Sequence, residues 1–186
     1  MADLQPVSLT PKVTERGIHV IKQWERWRGK KYFDGWTPTT HQEIWSKGFG
    51  HSTLLTTVDF DEREEWSLEY AHDVLVNHDI PYFGKLLLPH LKVPVTDNIW
   101  SMCMSLSMNK GVGKPGNERG LINSEAWKVL NDGGEYNFER FCDAVLEYAL
   151  IAPNKITKEP EVKRGLKWRR QAEVGLHQQD RFTDYL

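Results

Sequence analysis

Two carboxylic acids, Glu25 and Asp34, stand nine residues apart near the amino end of a 186-residue chain. Glu25 follows a stretch of helical periodicity, where the unpaired carbonyls of a helix end disfavour an ionised carboxyl. Asp34 precedes Gly35 in a short aromatic segment and should stay hydrated and charged. An acid that holds its proton beside one that has lost it is the pair that cleaves glycosidic bonds. Taken alone, such residues more often face solvent.

One helix and a small sheet are the elements expected to position these two residues. Thr10 as N-cap and Pro11 as first helical residue predict the start of a helix that extends to about residue 28. Two short, aromatic segments bounded by turn residues, 31–36 and 43–50, predict strands of an antiparallel sheet. The two carboxyls would therefore lie on neighbouring elements.

The remainder of the chain has the signals of helices. Ser67 and Thr96 each precede a stretch of helical periodicity and are predicted to be N-caps. Strands are thus segregated near the amino end, and the fold class is α+β. We expect a single domain over residues 1–186. It should have a helix-and-sheet lobe at about 11–60 and a mainly helical lobe at about 67–186.

Composition excludes several classes of protein. Lysine and arginine total 24 against 26 aspartate and glutamate, a net charge of −2; this argues against a nucleic-acid partner. The longest apolar stretch, residues 99–108, is too short to span a bilayer. The amino terminus lacks the basic and apolar regions of a signal peptide. We therefore expect no stable membrane insertion and a protein that stays in the cytoplasm where it is made.

Three patterns that often indicate cofactors are weak here. His72 and His78 are six residues apart, which does not place both imidazoles on one helix face, so we expect no metal site. The GxGxxG match at 111–116 follows a predicted helix rather than a strand, which argues against a dinucleotide site. Cys103 and Cys142 lie in apolar sequence and are predicted to be buried thiols.

Five segments together resemble the phage-type lysozymes of glycoside hydrolase family 24. The segment 17–25 reads GIHVIKQWE, 32–34 reads YFD, and 45–51 reads WSKGFGH. They resemble the family patterns GxxxIKxxE, YxD and TIGxGH in the correct order. Downstream, 95–113 resembles the family's helix ending in NxGxG. The last segment, 165–173, resembles its carboxyl-terminal GLxxRRxxE helix.

The resemblance implies roles for three residues. Glu25 would be the general acid that protonates the leaving sugar oxygen. Asp34 would act on a water or stabilise positive charge at the sugar. Ser46 stands where the family has threonine, and its hydroxyl would hold the attacking water without the methyl group that fixes the rotamer. Lys47 replaces the usual isoleucine, and the stretch 34–46 is longer than is common in the family.

Four further residues acquire expectations from the resemblance. It places His51 opposite Asp79, and we expect an ion pair that ties the sheet to the following helix. Arg169 and Arg170 stand where the family has basic residues, and a structural or substrate-binding role is implied for them.

The resemblance implies a lysozyme-like fold with the active-site cleft between the two lobes. It implies a muramidase that hydrolyses the β-1,4 bond between N-acetylmuramic acid and N-acetylglucosamine in bacterial peptidoglycan, for lysis of the host cell. Two carboxyls and a water suffice for this reaction, so we expect no metal and no organic cofactor. The water-holding pair favours inversion of the anomeric centre. We expect a monomer that waits in the bacterial cytoplasm until a partner such as a holin disrupts the membrane.

Two other interpretations remain open from the sequence. A lytic transglycosylase cleaves the same bond without water and typically manages with one acid, so the second carboxyl and the serine favour hydrolysis. A non-catalytic glycan-binding virion protein on the same scaffold would account for the altered positions, but it has no evident need for the acid at the helix end.

Overall fold

The computed structural model describes residues 7–37, 40–55, 57–60, 65–116, 119–134, 137–148, 151–153, 160–162 and 164–178. By its internal contacts the chain divides into two compact units: Met1–Val20 with Leu86–Leu186, and Ile21–Lys85. These limits differ from the lobes expected at 11–60 and 67–186, because the helical segment before Leu86 groups with the sheet. The expectation of a single domain stays a prediction.

The architecture is α+β, as predicted. The described strands are β1 (Val7–Ser8), β2 (Arg28–Trp36), β3 (Glu43–Gly48), β4 (His51–Ser52), β5 (Val95–Thr96), β6 (Ile151–Pro153) and β7 (Pro160–Val162). The described α-helices are α1 (Glu15–Glu25), α2 (Leu68–Val74), α3 (Ile80–Leu87), α4 (Asp97–Lys110), α5 (Glu125–Asp132), α6 (Asn137–Glu147) and α7 (Arg164–Gln178). A π-helical stretch, Leu75–Asp79, joins α2 to α3, and two 3₁₀ turns are Leu88–His90 and Leu121–Asn123.

Helix α1 begins at Glu15 and ends at Glu25, so the prediction of 11–28 is wrong at both ends. The side chain of Thr14 accepts a hydrogen bond from the backbone N–H three residues on, at 3.0 Å, which is the bond an N-cap makes. The preceding segment instead donates backbone N–H groups to side chains of α4. At the other end Arg26 takes a left-handed conformation with φ +54°, which stops the helix.

The unit Ile21–Lys85 contains an antiparallel sheet in the order β2-β3-β4. Helix α2 packs on β3, and its N-cap is Ser67, as predicted, with the hydroxyl accepting from the N–H of Tyr70 at 3.1 Å. Trp66 is buried beside Gly48, where φ is +61° and an added Cβ would approach the indole to 3.0 Å. The glycine therefore allows the sheet and the tryptophan to pack closely.

In the other unit, α4 is the central helix. Its N-cap is Thr96, as predicted, accepting from a backbone N–H at 3.2 Å, and Gly111 with φ +76° ends it. Side chains from Asn98 to Ser107 are buried, as expected of a helix enclosed on all sides. The thiols of Cys103 and Cys142 are free and buried; burial raises the pKa of both, that of Cys142 to about 12. Among the described residues, no helix combines the length and apolarity needed to cross a bilayer.

Candidate active site

Glu25 is the last residue of α1, and the chain turns from it into β2. One carboxylate oxygen, Oε1, is enclosed by protein. The other, Oε2, faces Gly50, where φ is +85° and an added Cβ would lie 3.4 Å from it. The tight turn between β3 and β4 therefore brings backbone without a side chain against the acid. This leaves space beside one oxygen of Glu25, which a general acid requires.

Asp34 and Ser46 meet across the strands β2 and β3. The Ser46 hydroxyl donates a hydrogen bond of 2.8 Å to Oδ2 of Asp34. Ser46 is fully buried, whereas Asp34 is exposed. The serine is thus fixed within the sheet, and the carboxylate it holds remains open to solvent or to a ligand.

A β-bulge at Asp34 makes this contact possible. Phe33 pairs with Trp45 and Gly35 pairs with Ile44, so Asp34 is an extra residue on β2. A bulge turns a side chain that would otherwise alternate with its neighbours, and bulges are common beside active sites. The sequence analysis missed the bulge, although a glycine within a strand segment is a signal for one.

Tyr32 is a fourth member of the site that the sequence analysis did not assign. It pairs with Ser46 across the strands and is half-buried. The guanidinium carbon of Arg28 lies 4.3 Å from the centre of its ring. Burial raises the pKa of Tyr32 most, the charge of Asp34 raises it further, and Arg28 and a hydrogen bond with Ser46 oppose the shift. Its position in the YxD pattern was the available signal.

His51 and Asp79 are brought together within the same unit. Nδ1 of His51 lies 2.7 Å from Oδ1 of Asp79, and both side chains are buried. The hydroxyl of Thr57 lies 3.4 Å from the same carboxylate oxygen. Asp79 is the last residue of the π-helical stretch, and such stretches shift the register of the side chains that follow. The contact joins β4 to the helical run behind it.

Arg169 and Arg170 lie in the other unit, on α7. Arg169 donates from Nε to Glu173 at 3.1 Å and from Nη2 to the backbone carbonyl of Ser105 at 3.0 Å. Arg170 contacts Glu173 through Nη1 and the backbone carbonyl of Tyr148 through Nε at 3.3 Å. Both arginines are buried, so their guanidinium groups bond to protein and not to solvent. The resemblance implied either a structural or a substrate-binding role for these arginines. Their burial favours the structural role, which stays a prediction.

The phage lysozyme family matches residues 22–173, which is most of the sequence and includes each candidate site residue. The chain belongs to the phage lysozyme family.

Individual relatives agree with this assignment. An endolysin of Acyrthosiphon pisum secondary endosymbiont phage 1 is 27% identical over 164 residues, covering 88% of this chain and 96% of the relative. The muramidase domain of SpmX from Asticaccaulis excentricus has the same fold, with a TM-score of 0.66 at 20% identity, covering 89% of this chain and 97% of that one. An endolysin from Escherichia coli O157:H7 phage FAHEc1 gives 0.62 at 20% identity, covering 94% and 96%.

Lys47 is a buried residue of this phage lysozyme homologue that departs from the family pattern. Its side chain is buried, and its Nζ lies 5.0 Å from the ring centre of Phe60 and 5.5 Å from that of Trp66. The aliphatic stem replaces the volume of the usual isoleucine, and the ammonium group lies among aromatic rings. The substitution is therefore accommodated without exposing the strand beside Ser46.

In this phage lysozyme homologue, the described side chains of the candidate site are suited to acid–base chemistry. Among these residues, no group of three or more His, Cys, Asp or Glu side chains is placed to hold a metal ion. Glu25 contributes a partly enclosed carboxyl, and Asp34 an exposed one fixed by Ser46. Two carboxyls in unlike surroundings within one compact unit can divide the roles of acid and base.

Proposed function

We propose that the chain is a muramidase that hydrolyses the β-1,4 bond between N-acetylmuramic acid and N-acetylglucosamine in peptidoglycan. The observation that carries the proposal is the hydrogen bond between Ser46 and Asp34, in the same unit as Glu25. A hydrolase needs a carboxylate that is fixed in position and open to water, and Asp34 combines the serine bond with an exposed side chain. The names of the relatives, an endolysin and a muramidase domain, favour the same substrate class.

In the proposed reaction Glu25 gives its proton to the glycosidic oxygen. The bond from that oxygen to the anomeric carbon breaks, and the positive charge that develops on the sugar ring is stabilised by the Asp34 carboxylate. The space beside Gly50 admits the leaving oxygen to Oε2 of Glu25. General acid catalysis of this kind contributes about 10²–10⁴-fold to a rate.

Ser46 and Asp34 together activate the water. The hydroxyl of Ser46 orients Asp34 by donating to Oδ2, and the exposed carboxylate accepts a hydrogen bond from the water. The water attacks the anomeric carbon from the face opposite the leaving group, and Asp34 takes its proton. Attack from the opposite face inverts the anomeric centre. Proton NMR of the first products reports the anomer: an α-anomer supports this route, and a β-anomer contradicts it.

The proposed biological setting is lysis of a bacterial host. The protein would be held in the bacterial cytoplasm and reach the cell wall after a partner of the holin class disrupts the membrane. This setting follows from the proposed activity together with the endolysin relatives. Expression in a bacterium with and without a co-expressed holin tests it; lysis should require both proteins.

The deciding experiment is mass spectrometry of fragments released from purified peptidoglycan. Wild type should release fragments with reducing muramic acid ends, and Glu25→Gln should release none. The matched control is Glu15→Gln, an exposed carboxyl in the first turn of the same helix, which should behave as wild type. Fragments with anhydro-muramic ends would show a lytic transglycosylase. If neither wild type nor the variants release fragments although all are folded, the interpretation as a glycan-binding protein is favoured.

A further inference from the structure

The two faces of the β2–β3 hairpin differ in character. Asp34 and Ser46 meet on one face, through their hydrogen bond. Phe33 and Trp45, the neighbours of these two residues along the strands, form a cross-strand pair and project from the opposite face, since consecutive side chains alternate. The hairpin therefore has a polar face that contains the candidate active site and a second face that contains aromatic rings.

The bulge at Asp34 assembles this second face. Without it, Trp36 would project from the opposite face to Phe33; with one extra residue between them, both project together. Trp36 pairs with Glu43, whose side chain accepts a hydrogen bond of 3.0 Å from the indole N–H of Trp45. The same bulge that turns Asp34 toward Ser46 thus groups the aromatic rings on the opposite face of the hairpin.

We define the aromatic face as Phe33, Trp36 and Trp45 with the flanking Lys31 and Glu43. Phe33 is 46% exposed and Trp36 is 55% exposed. Phe33 contacts Trp36 and Trp45 edge-to-face, at centroid distances of 5.4 Å and 5.7 Å and interplanar angles of 69° and 72°, so neither tryptophan lies flat on Phe33. The Nζ of Lys31 lies 4.9 Å from the ring centre of Trp45. The rings therefore contact one another while Phe33 and Trp36 remain exposed.

The structure assigns to the aromatic face the binding of a second peptidoglycan glycan segment, outside the catalytic site. The proposal rests on the proposed function for the identity of the polymer. Pyranose rings present flat C–H faces that pack on aromatic rings, and their hydroxyl and N-acetyl groups need donors and acceptors at the edge. Lys31 and Glu43 supply both. Because the rings are already fixed by their mutual contacts, little conformational entropy is lost on binding.

The size of the aromatic face favours a glycan over a protein partner. A standard protein interface involves about 20–30 residues on each side. The aromatic face has five side chains, three of them rings, which matches a short run of sugar units. Glu43 beside the rings disfavours a nucleic-acid backbone. The aromatic face and the candidate site lie on opposite faces of the same two strands, so a cross-linked wall could be bound on one face and cut on the other.

The test separates binding from cleavage. In a Glu25→Gln background, which leaves the glycan intact, binding to insoluble purified peptidoglycan is measured by co-sedimentation. Trp36→Ala should weaken binding by about tenfold, the order expected for the loss of one packed ring. Trp36→Tyr keeps an aromatic ring and should restore most of the binding. The matched control is Trp168→Ala, which removes a 58% exposed tryptophan from α7 and should change binding less than twofold.

A second readout uses the protein with Glu25 intact. Trp36→Ala should slow the digestion of whole cell walls while leaving the turnover of short soluble muropeptides unchanged. Equal losses on both substrates would place the ring in the catalytic site and overturn the proposal, as would unchanged wall binding. So would a change of oligomeric state in Trp36→Ala by analytical ultracentrifugation, which would make the aromatic face a contact between copies. If wild type binds walls through Trp36 but releases no fragments, the proposed hydrolysis fails and the glycan site stands.

Discussion

The hydrogen bond from Ser46 to Asp34 and the one from Ser105 to Glu173 have the same donor and acceptor groups and nearly the same length, 2.8 Å and 2.7 Å. Their surroundings differ. Glu173 is fully buried and contacts two buried arginines, whereas Asp34 is exposed at a bulge. A carboxylate neutralised within the protein cannot take a proton from a ligand, and an exposed one can. Both carboxylates accept a serine bond, so we propose that access to solvent and neutralisation by arginine distinguish the candidate reactive carboxylate from the structural one.

The largest effect is expected for a substitution of Asp34, and it should be on the rate of peptidoglycan hydrolysis. Asp34→Asn keeps the side-chain shape but removes the base, so peptidoglycan hydrolysis should fall by about 10²–10⁴-fold. The free energy of unfolding should change by less than about 0.5 kcal/mol, because the residue is exposed. Fragment release and urea denaturation measure the two quantities. Full activity in Asp34→Asn would remove the argument for a water-activating pair.

The reverse pattern is expected for Glu173→Gln. The substitution leaves two buried guanidinium groups without their carboxylate, which should destabilise the fold by about 3–5 kcal/mol. Urea denaturation of the purified protein measures this. At a temperature where the variant remains folded, its activity per folded molecule should match wild type. A stable but inactive Glu173→Gln would show that the α7 cluster acts on the reaction.

The sequence predicted the helical caps at Ser67 and Thr96 because each cap depends on the residue's own hydroxyl and the periodicity that follows it. It failed at α1, where Thr14 caps the helix and the Thr10-Pro11 pair does not. There, long-range bonds to α4 hold the chain in a non-helical conformation, and no local pattern encodes them.

At the site, the resemblance of the motifs to the family patterns proposed Glu25, Asp34 and Ser46, and their catalytic roles stay predictions. The sequence did not predict that the side chains of Phe33 and Trp36 lie on the same face of the sheet. That grouping depends on strand register, and register is fixed by which residue of β2 is left without a partner.

The two serines should give smaller effects of opposite kinds. Ser46→Ala removes the hydroxyl that orients Asp34 and the water, and activity should fall by about tenfold to a hundredfold, the loss expected for one hydrogen bond to a charged group. Ser105→Ala should instead lower the free energy of unfolding by about 1–3 kcal/mol, since Glu173 loses a buried donor. Steady-state hydrolysis and denaturant unfolding of both variants measure the contrast. Equal losses of activity and of unfolding free energy in the two variants would contradict it.

The smallest expected effect is electrostatic and is confined to the site. The charge of Asp34 is one cause of the raised pKa of Tyr32, because a nearby negative charge disfavours the phenolate. Asp34→Asn should therefore lower the pKa of Tyr32, while Glu173→Gln should leave it unchanged. Tyrosine ring carbons labelled with ¹³C, with Tyr32→Phe to assign the resonance, allow the titration to be followed by NMR above pH 9. The phenolate of Tyr32 should form at lower pH in Asp34→Asn than in wild type. A Tyr32 titration unchanged by Asp34→Asn would mean that water screens the two groups from each other, and burial rather than the charge of Asp34 would then account for the raised pKa of Tyr32.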